Sequence, residues 1–358
     1  MKPDDLGFFY PEVNSTLCTD CGACNTVCAF QNGYNAENNL NTPLVFAARH
    51  KNMQEIETSR SGAMFIAVSD YVLEKDGIVY GVGYSEHFRV VHKRAITKEG
   101  RDEFKGSKYV QSDLSDIFPL IKQDLIRGYT VLFSGTPCQT AGLASFLRKI
   151  DKTNLILVDI VCHGVPSPYV WNDYLKYIEK KNKDIVEKVD FRDKLLGWNT
   201  HFESFTFKNR RKIIKQTYSD LFGKCIMFRS SCGNCKYTNT IRPSDITIAD
   251  YWGWEKLDAE FNKDNKGCSL VFVNTKKGES IWDDVKDQVN YLPSDLSRCL
   301  QPNLQAPSIL SKDAANFKEL YIKKGFLAVA KRYGNLGWNY KINKIKLFIK
   351  RLIKKVIR

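Results

Sequence analysis

The chain has 358 residues, 43% of them hydrophobic, which is room for two ordinary domains and excludes a disordered chain. No run reaches the roughly 18–20 apolar residues that span a bilayer. The opening MKPDDLGFFYPEV lacks a signal-peptide layout, so the expected location is the cytoplasm. The net charge of +14 invites a nucleic-acid reading, but residues 341–358 hold eight basic residues and no acidic one, so the charge is mainly a tail property and nucleic acid is excluded as a partner.

In chain order, residues 1–40 are short, Asn-rich and Cys-rich, as expected of a loop-built module that needs a metal to fold. Gly62–Lys75 has helical apolar spacing and ends at Asp76-Gly77. Ile78–Gly83 reads as a buried strand and Phe88–Arg94 as its hairpin partner. Leu114–Arg127 predicts an amphipathic helix, with Pro119 close enough to its start to be tolerated. Thr130–Ser134 predicts a buried strand, Gln139–Lys149 a helix and Leu155–Val161 a second buried strand. That order makes a βαβ unit, and such a unit pairs its strands in parallel. Val170–Lys181 predicts a helix. Val186–Phe191, Phe202–Phe207, Ile213–Thr217, Ile246–Ala249 and Leu270–Asn274 are strand-like.

The eleven cysteines are clustered, and with no export signal they read as metal ligands rather than disulfides. Cys18, Cys21, Cys24 and Cys28 have the C-x2-C-x2-C-x3-C spacing of bacterial ferredoxins. Two-residue gaps curl three thiolates around one cubane, and Gly22 lets the backbone pass close to inorganic sulfide. This run predicts a 4Fe-4S cluster. Ala29, not Pro, follows Cys28, and no second run of this type is present. Cys28 therefore either closes its own cluster or leaves that place to a ligand from elsewhere.

Cys232 and Cys235 form a tight CxxC, while Cys138 and Cys162 each follow a predicted buried strand. Ligand sites in open α/β sheets gather at the carboxyl ends of strands, so the last two are expected at one sheet edge. If the CxxC loop folds over that edge, four thiols converge. The result is then an iron–sulfur site, with zinc or plain core cysteines as the alternatives. Cys225 is expected outside the set, and Cys268 and Cys299 read as core.

Several motifs occur together and in order: Gly135-Thr-Pro-Cys-Gln139, Cys162-His-Gly-Val-Pro-Ser167, Arg229-Ser-Ser-Cys-Gly-Asn-Cys235 and Asp245-Ile-Thr-Ile-Ala-Asp-Tyr-Trp-Gly253. With Thr58–Gly62 and Lys105–Ser112, they resemble the beta subunit of coenzyme F-420 hydrogenase/dehydrogenase, in the bacterial branch that carries an N-terminal ferredoxin module. The resemblance covers roughly residues 5–310. It implies an FAD-containing iron–sulfur flavoprotein that moves electrons between a reduced carrier, such as ferredoxin or a deazaflavin, and a substrate or partner. It also implies Cys138, Cys162, Cys232 and Cys235 as core-cluster ligands. Gly7–Val13 resembles the spacer between two ferredoxin runs, so the first run is expected to be missing here.

For the flavin, Arg60, Ser61 and Gly62 precede a helix start that could take a phosphate, and Lys108 and Tyr109 add a charge and a stacking face. No GxGxxG follows a strand. His163, beside a ligand candidate, is the candidate catalytic residue, with a structural histidine as the alternative. In the tail, the apolar residues Ile342 to Val356 and the cations share a helix on opposite faces, which predicts contact with an anionic membrane surface, on the inner face of the plasma membrane.

The expected fold is thus α/β with α+β elements: a ferredoxin-like module (1–40), a flavin-contacting N-terminal domain (45–128), a C-terminal domain with the second cluster (129–310) and a helical basic tail (311–358). The expected function is an FAD-dependent iron–sulfur oxidoreductase. The alternatives are a flavin-free electron-transfer adaptor and a zinc-stabilised scaffold.

Overall fold

The structure, a computed structural model, describes residues 1–32, 34, 36–338, 340 and 342. Strands β1 (Lys2–Pro3) and β2 (Phe9–Tyr10) form a small antiparallel ladder at the N-terminus. The main sheet has eight strands: β3 (Asn39–His50), β4 (Ile78–Tyr84), β5 (Val90–Ala95), β6 (Val131–Gly135), β7 (Leu155–Ile160), β11 (Ile246–Asp250), β12 (Ser269–Thr275) and β13 (Val289–Ser294). A second sheet joins β8 (Val186–Asp190), β9 (Glu203–Phe207) and β10 (Lys212–Lys215).

The main sheet runs β13-β3-β12-β11-β7-β6-β4-β5. Its centre is parallel. β6 and β7 pair in parallel around the helix Pro137–Phe146, as their unbroken apolar runs predict. β4 joins β6 and β11 joins β7 in the same sense. The margins are antiparallel, with β5 on one side and β12, β3 and β13 on the other. The sheet therefore takes strands from both of the expected segments 45–128 and 129–310.

Alternate residues of β4 and β6 enter two cores, as a period of two requires. Val79 and Leu132 pack with Met64 and Val68 of the helix Met64–Leu73 and with Trp282 of the helix Lys276–Val285. Ile78, Tyr80 and Phe133 face Ile121 and Leu125 of the helix Ile117–Ile126 and Leu143 of the helix Pro137–Phe146. β12 has both faces covered and is buried at every position. A third core places the small sheet against Pro168–Asn182 and the helical stretch Ala314–Arg332, whose geometry breaks at Gly325 with φ 71°.

The helix Ala314–Arg332 begins the expected helical tail. Most of the basic segment 341–358 lies outside the described residues. Among the described residues no helix is long and apolar enough to cross a membrane.

Candidate metal and flavin sites

The four central strands β4, β6, β7 and β11 end at one edge of the sheet, and Cys138 and Cys162 are on connections that leave it. Gly135 ends β6, and Pro137 opens the following helix as its first residue, where a missing N–H costs nothing. Gln139 turns its side-chain oxygen back to accept the N–H of Thr136 at 3.0 Å. Cys138 is thus fixed in the first helical turn, with its Sγ 3.2 Å from Oγ1 of Thr136.

Cys162 leaves the end of β7. Gly164 follows with φ +133°, and a Cβ there would fall 2.4 Å from the ring of Phe228, so this approach requires glycine. The chain then zips against residues 227–229. Ser167 N–H donates to Met227 O and Arg229 N–H to Val165 O, both at 3.0 Å. This pairing carries the turn Ser230–Asn234, with Cys232, and then Cys235, back over the strand edge.

The thiols of Cys138, Cys162, Cys232 and Cys235 feel one another's charge. Burial pushes Cys138 up to about 11, with Cys235 and Cys232 adding to the rise. Burial raises Cys162 further, and the other three thiols reinforce it. Burial also raises Cys232 and Cys235. Four such thiols repel as thiolates and ionise together only around a cation. Among the described residues no three of His, Cys, Asp or Glu converge tightly enough for a single metal ion.

Two arginines hold the set, and neither is among the residues expected there from the sequence. Arg229 donates to Phe9 O at 2.9 Å and lies 4.1 Å from the ring centroid of Tyr10, tying the CxxC turn to the N-terminal ladder. Arg242 pairs with Asp159 of β7 at 3.1 Å, with both side chains fully buried. It also donates to Tyr237 O at 2.7 Å and Ile160 O at 3.0 Å, joining the segment after Cys235 to the one before Cys162. Arg229 opens the motif that ends at Cys235, which was a signal; Arg242 gave no signal of its own.

In the first run Cys18, Cys21 and Cys24 are exposed and Cys28 is half-buried. Gly22 has φ 69° and Asp20 φ 51°, the left-handed turns that coil the run. Asp20 N–H donates to Cys18 Sγ at 3.4 Å. A hydrogen bond from the backbone of Ala23, then one from Thr19, hold the Cys21 thiol below its ordinary range. The run docks on the second set. Ser145 donates to Val27 O at 2.9 Å and Tyr237 OH to Ala29 O at 2.5 Å. Ala29 packs in one cluster with Ala141, Tyr237, Cys138 and Cys235.

Cys225 has a φ of 50° and adds to the rise of the Cys232 thiol. Its buried Sγ lies 3.4 Å from Nε2 of His163, whose Nδ1 lies 2.8 Å from Oδ1 of Asn303. His163 is therefore oriented from both sides, and its ring also meets Phe222 at 5.3 Å.

The five flavin candidates divide. Arg60 is turned inward, donating to the carbonyls of Arg192, at 2.7 Å, and Trp198. Ser61 donates to Cys268 O at 2.7 Å, and Gly62 N–H donates to Ser269 Oγ at 2.9 Å. The start of the helix Met64–Leu73 is thus sewn to β12, and fewer of its donors face outward than the sequence suggests. Lys108 donates to Glu103 O and Lys105 O, and burial lowers it to about 7. Tyr109 packs on Phe222 at 4.5 Å and takes a 3.5 Å contact from Arg192 at its hydroxyl.

A packed cluster of basic and aromatic side chains adjoins Tyr109. Arg192 pairs with Asp250 at the end of β11, and Trp198 Nε1 donates to the same carboxylate at 3.1 Å. Trp198 stacks on Trp252 at 4.7 Å. Burial opposes the charge of Asp250, but Arg192 and Arg60 hold its carboxyl below the usual range. Burial, then the two arginines, push His201 down to about 4. Ring contacts through Tyr109, Phe222 and His163 connect this cluster to the thiol side.

Comparison with known proteins agrees with this architecture. Residues 128–296 match the family described as the C terminus of the coenzyme F420 hydrogenase/dehydrogenase beta subunit. Among solved structures, the chain is similar to one from the xenon-derivatised F420-reducing [NiFe] hydrogenase complex of Methanosarcina barkeri. That similarity has a TM-score of 0.50 at 16% identity and covers 81% of this chain and 91% of the other, which is a likeness of fold. No curated protein matches. Residues 128–296 thus carry the likeness to the C-terminal part of the coenzyme F420 hydrogenase/dehydrogenase beta subunit.

Proposed function

We propose that this redox protein is an iron–sulfur flavoprotein oxidoreductase. It relays electrons from a reduced carrier to a substrate or partner through FAD and two 4Fe-4S clusters. One cluster would sit on Cys18, Cys21, Cys24 and Cys28, the other on Cys138, Cys162, Cys232 and Cys235. The observation that carries the reading is that Cys138 and Cys162, after β6 and β7, and Cys232 and Cys235, on the turn that folds back over them, are half-buried, with the other three thiols raising Cys162.

The clusters supply one-electron carriers of adjustable potential. The chain's own residues do the rest. Arg229 places a positive charge beside Cys138 and Cys232, which favours their ionised form. Tyr237 and Ala29 close the space between the two thiol sets and keep water out. A flavin would draw on Tyr109 for stacking and on the Arg192 cluster for charge. The engagement of Arg60, Ser61 and Gly62 within the fold favours a second reading, a flavin-free electron-transfer adaptor.

The absorption spectrum of anaerobically purified protein separates these readings. A broad band near ~400 nm is expected from iron–sulfur, with further bands near ~370 and ~450 nm from flavin. A broad band alone selects the adaptor. A colourless protein containing zinc overturns both.

A further inference from the structure

A groove runs between the helix Ile117–Ile126 and the end of the helix Pro137–Phe146, continuing into residues 147–150. It encloses about 510 Å³. Its apolar wall includes Val27, Phe118 and Phe146, and its cations are Lys122, Arg148 and Lys149. Among the described residues no carboxylate lines it. Phe146 is 44% exposed, a large apolar ring left at the lip. Gly142 keeps the floor open, since the nearest side chain to a Cβ there would be Phe118 at 3.7 Å. Among the described residues the three cations make no ion pair, whereas the neighbouring Asp124 is engaged by Arg94.

The groove's position gives it meaning. Val27 is a wall of the groove and also the residue before Cys28. Its carbonyl accepts the Ser145 hydroxyl from the helix Pro137–Phe146, which also lines the groove. Anything seated in the groove therefore lies against the ferredoxin-type run, whose Cys18, Cys21 and Cys24 are themselves exposed. An apolar patch with unpaired cations around it selects an acidic partner with a small apolar contact. Small, weak interfaces of this kind suit electron-transfer encounters, and the cations steer approach more than they tighten the complex.

We propose that this groove is the docking surface for a small acidic electron-carrier protein, which exchanges electrons with the cluster on the Cys18–Cys28 run. One electron leaves the reduced carrier, which becomes oxidised, and the oxidised cluster accepts it. No bond forms or breaks and no proton is required. The proposal rests on the iron–sulfur reading and names the partner's chemistry and its place of contact.

The test uses anaerobically purified full-length protein, with a reduced acidic bacterial-type ferredoxin as probe. The triple variant K122E/R148E/K149E is compared with wild type and with K180E/K181E/K188E, a reversal on other elements. The groove variant should slow reduction by the ferredoxin about tenfold or more at low salt, with the gap closing at high salt. Its iron content and its bleaching by dithionite should match wild type. Carbodiimide treatment of the wild-type mixture should join ferredoxin carboxylates to Lys122 or Lys149, a readout that needs no variant. An unchanged ferredoxin rate, an equal loss in the control, or cross-links confined to other lysines would overturn the docking surface while leaving the cluster reading intact. A wild-type protein that dithionite does not bleach would instead overturn the cluster reading, and the docking proposal with it.

Discussion

Replacing Arg242 by Met should destabilise the fold by about 3–5 kcal/mol, the typical cost of removing one partner of a buried ion pair. Arg242 and Asp159 are both fully buried, 3.1 Å apart. Arg242 also donates to the carbonyls of Tyr237, Asn239 and Ile160 at 2.7, 3.2 and 3.0 Å. Methionine keeps much of the length and donates nothing, so Asp159 is left buried without its ion partner. The lost carbonyl bonds add about 1 kcal/mol each where water does not replace them. Against a total stability of about 5–15 kcal/mol the loss is large. With a urea slope of about 3 kcal/mol per M, the midpoint should fall by about 1–1.7 M.

The loss should also depend on pH. Burial already raises the Asp159 carboxyl, and Arg242 restrains the rise. A carboxyl raised in the folded state binds its proton more readily there than in the unfolded chain. Stability therefore falls as pH rises from the unfolded value through the folded one. Removing Arg242 extends that window upward. The gap between wild type and Arg242→Met is then widest at neutral pH and narrows as the pH falls toward the ordinary carboxylate range. Asp159→Asn in the same background should restore part of the stability and abolish the narrowing. Urea unfolding followed by tryptophan fluorescence at several pH values measures this. A gap under about 1 kcal/mol, or one independent of pH, would refute the reasoning, because an uncompensated buried charge predicts neither.

Iron analysis should show that Cys138→Ser and Cys162→Ser each lose the core cluster's iron and keep that of the first run, with Cys21→Ser doing the reverse. Cys225→Ala should keep both, and if it loses iron then Cys225 belongs to the ligand set. Gly62→Ala should cost about 1–3 kcal/mol, because its Cβ would sit 2.1 Å from Ala48 O; an unchanged melting temperature would show that β3 and β12 yield there. Deleting residues 339–358 should lower co-sedimentation with anionic vesicles at low salt, and equal partitioning of both forms would dismiss the membrane contact expected of the tail.

The centre of the sheet was legible because its strands are buried on both faces. VLF and LILV show as unbroken apolar runs, and a helix of the right length between them dictates parallel pairing. The placement of Cys138 and Cys162 after those strands followed from that alone. β3 was harder to read. Its first half, Asn39-Leu-Asn-Thr-Pro43, has the composition of a loop, and burial begins only at Val45. β13 is an edge strand with Pro293 and mostly exposed side chains, so no run marks it. The inward turn of Arg60 was invisible for a different reason. Its partners are the carbonyls of Arg192 and Trp198, and no residue type advertises a backbone acceptor.

The position of β3 bears on how the protein is made. This strand leaves the ribosome early, yet both of its sheet neighbours, β12 and β13, are among the last strands synthesised. Until they arrive, both edges of β3 lack partners, and its apolar Val45-Phe46-Ala47-Ala48 stretch is open to pairing with other chains. The parallel centre can assemble from sequence-local units in the meantime, but the margin that carries β3 closes only when the chain is nearly finished. A nascent chain stalled before Ser269 should therefore expose an aggregation-prone strand, and sheltering it during translation falls to a chaperone.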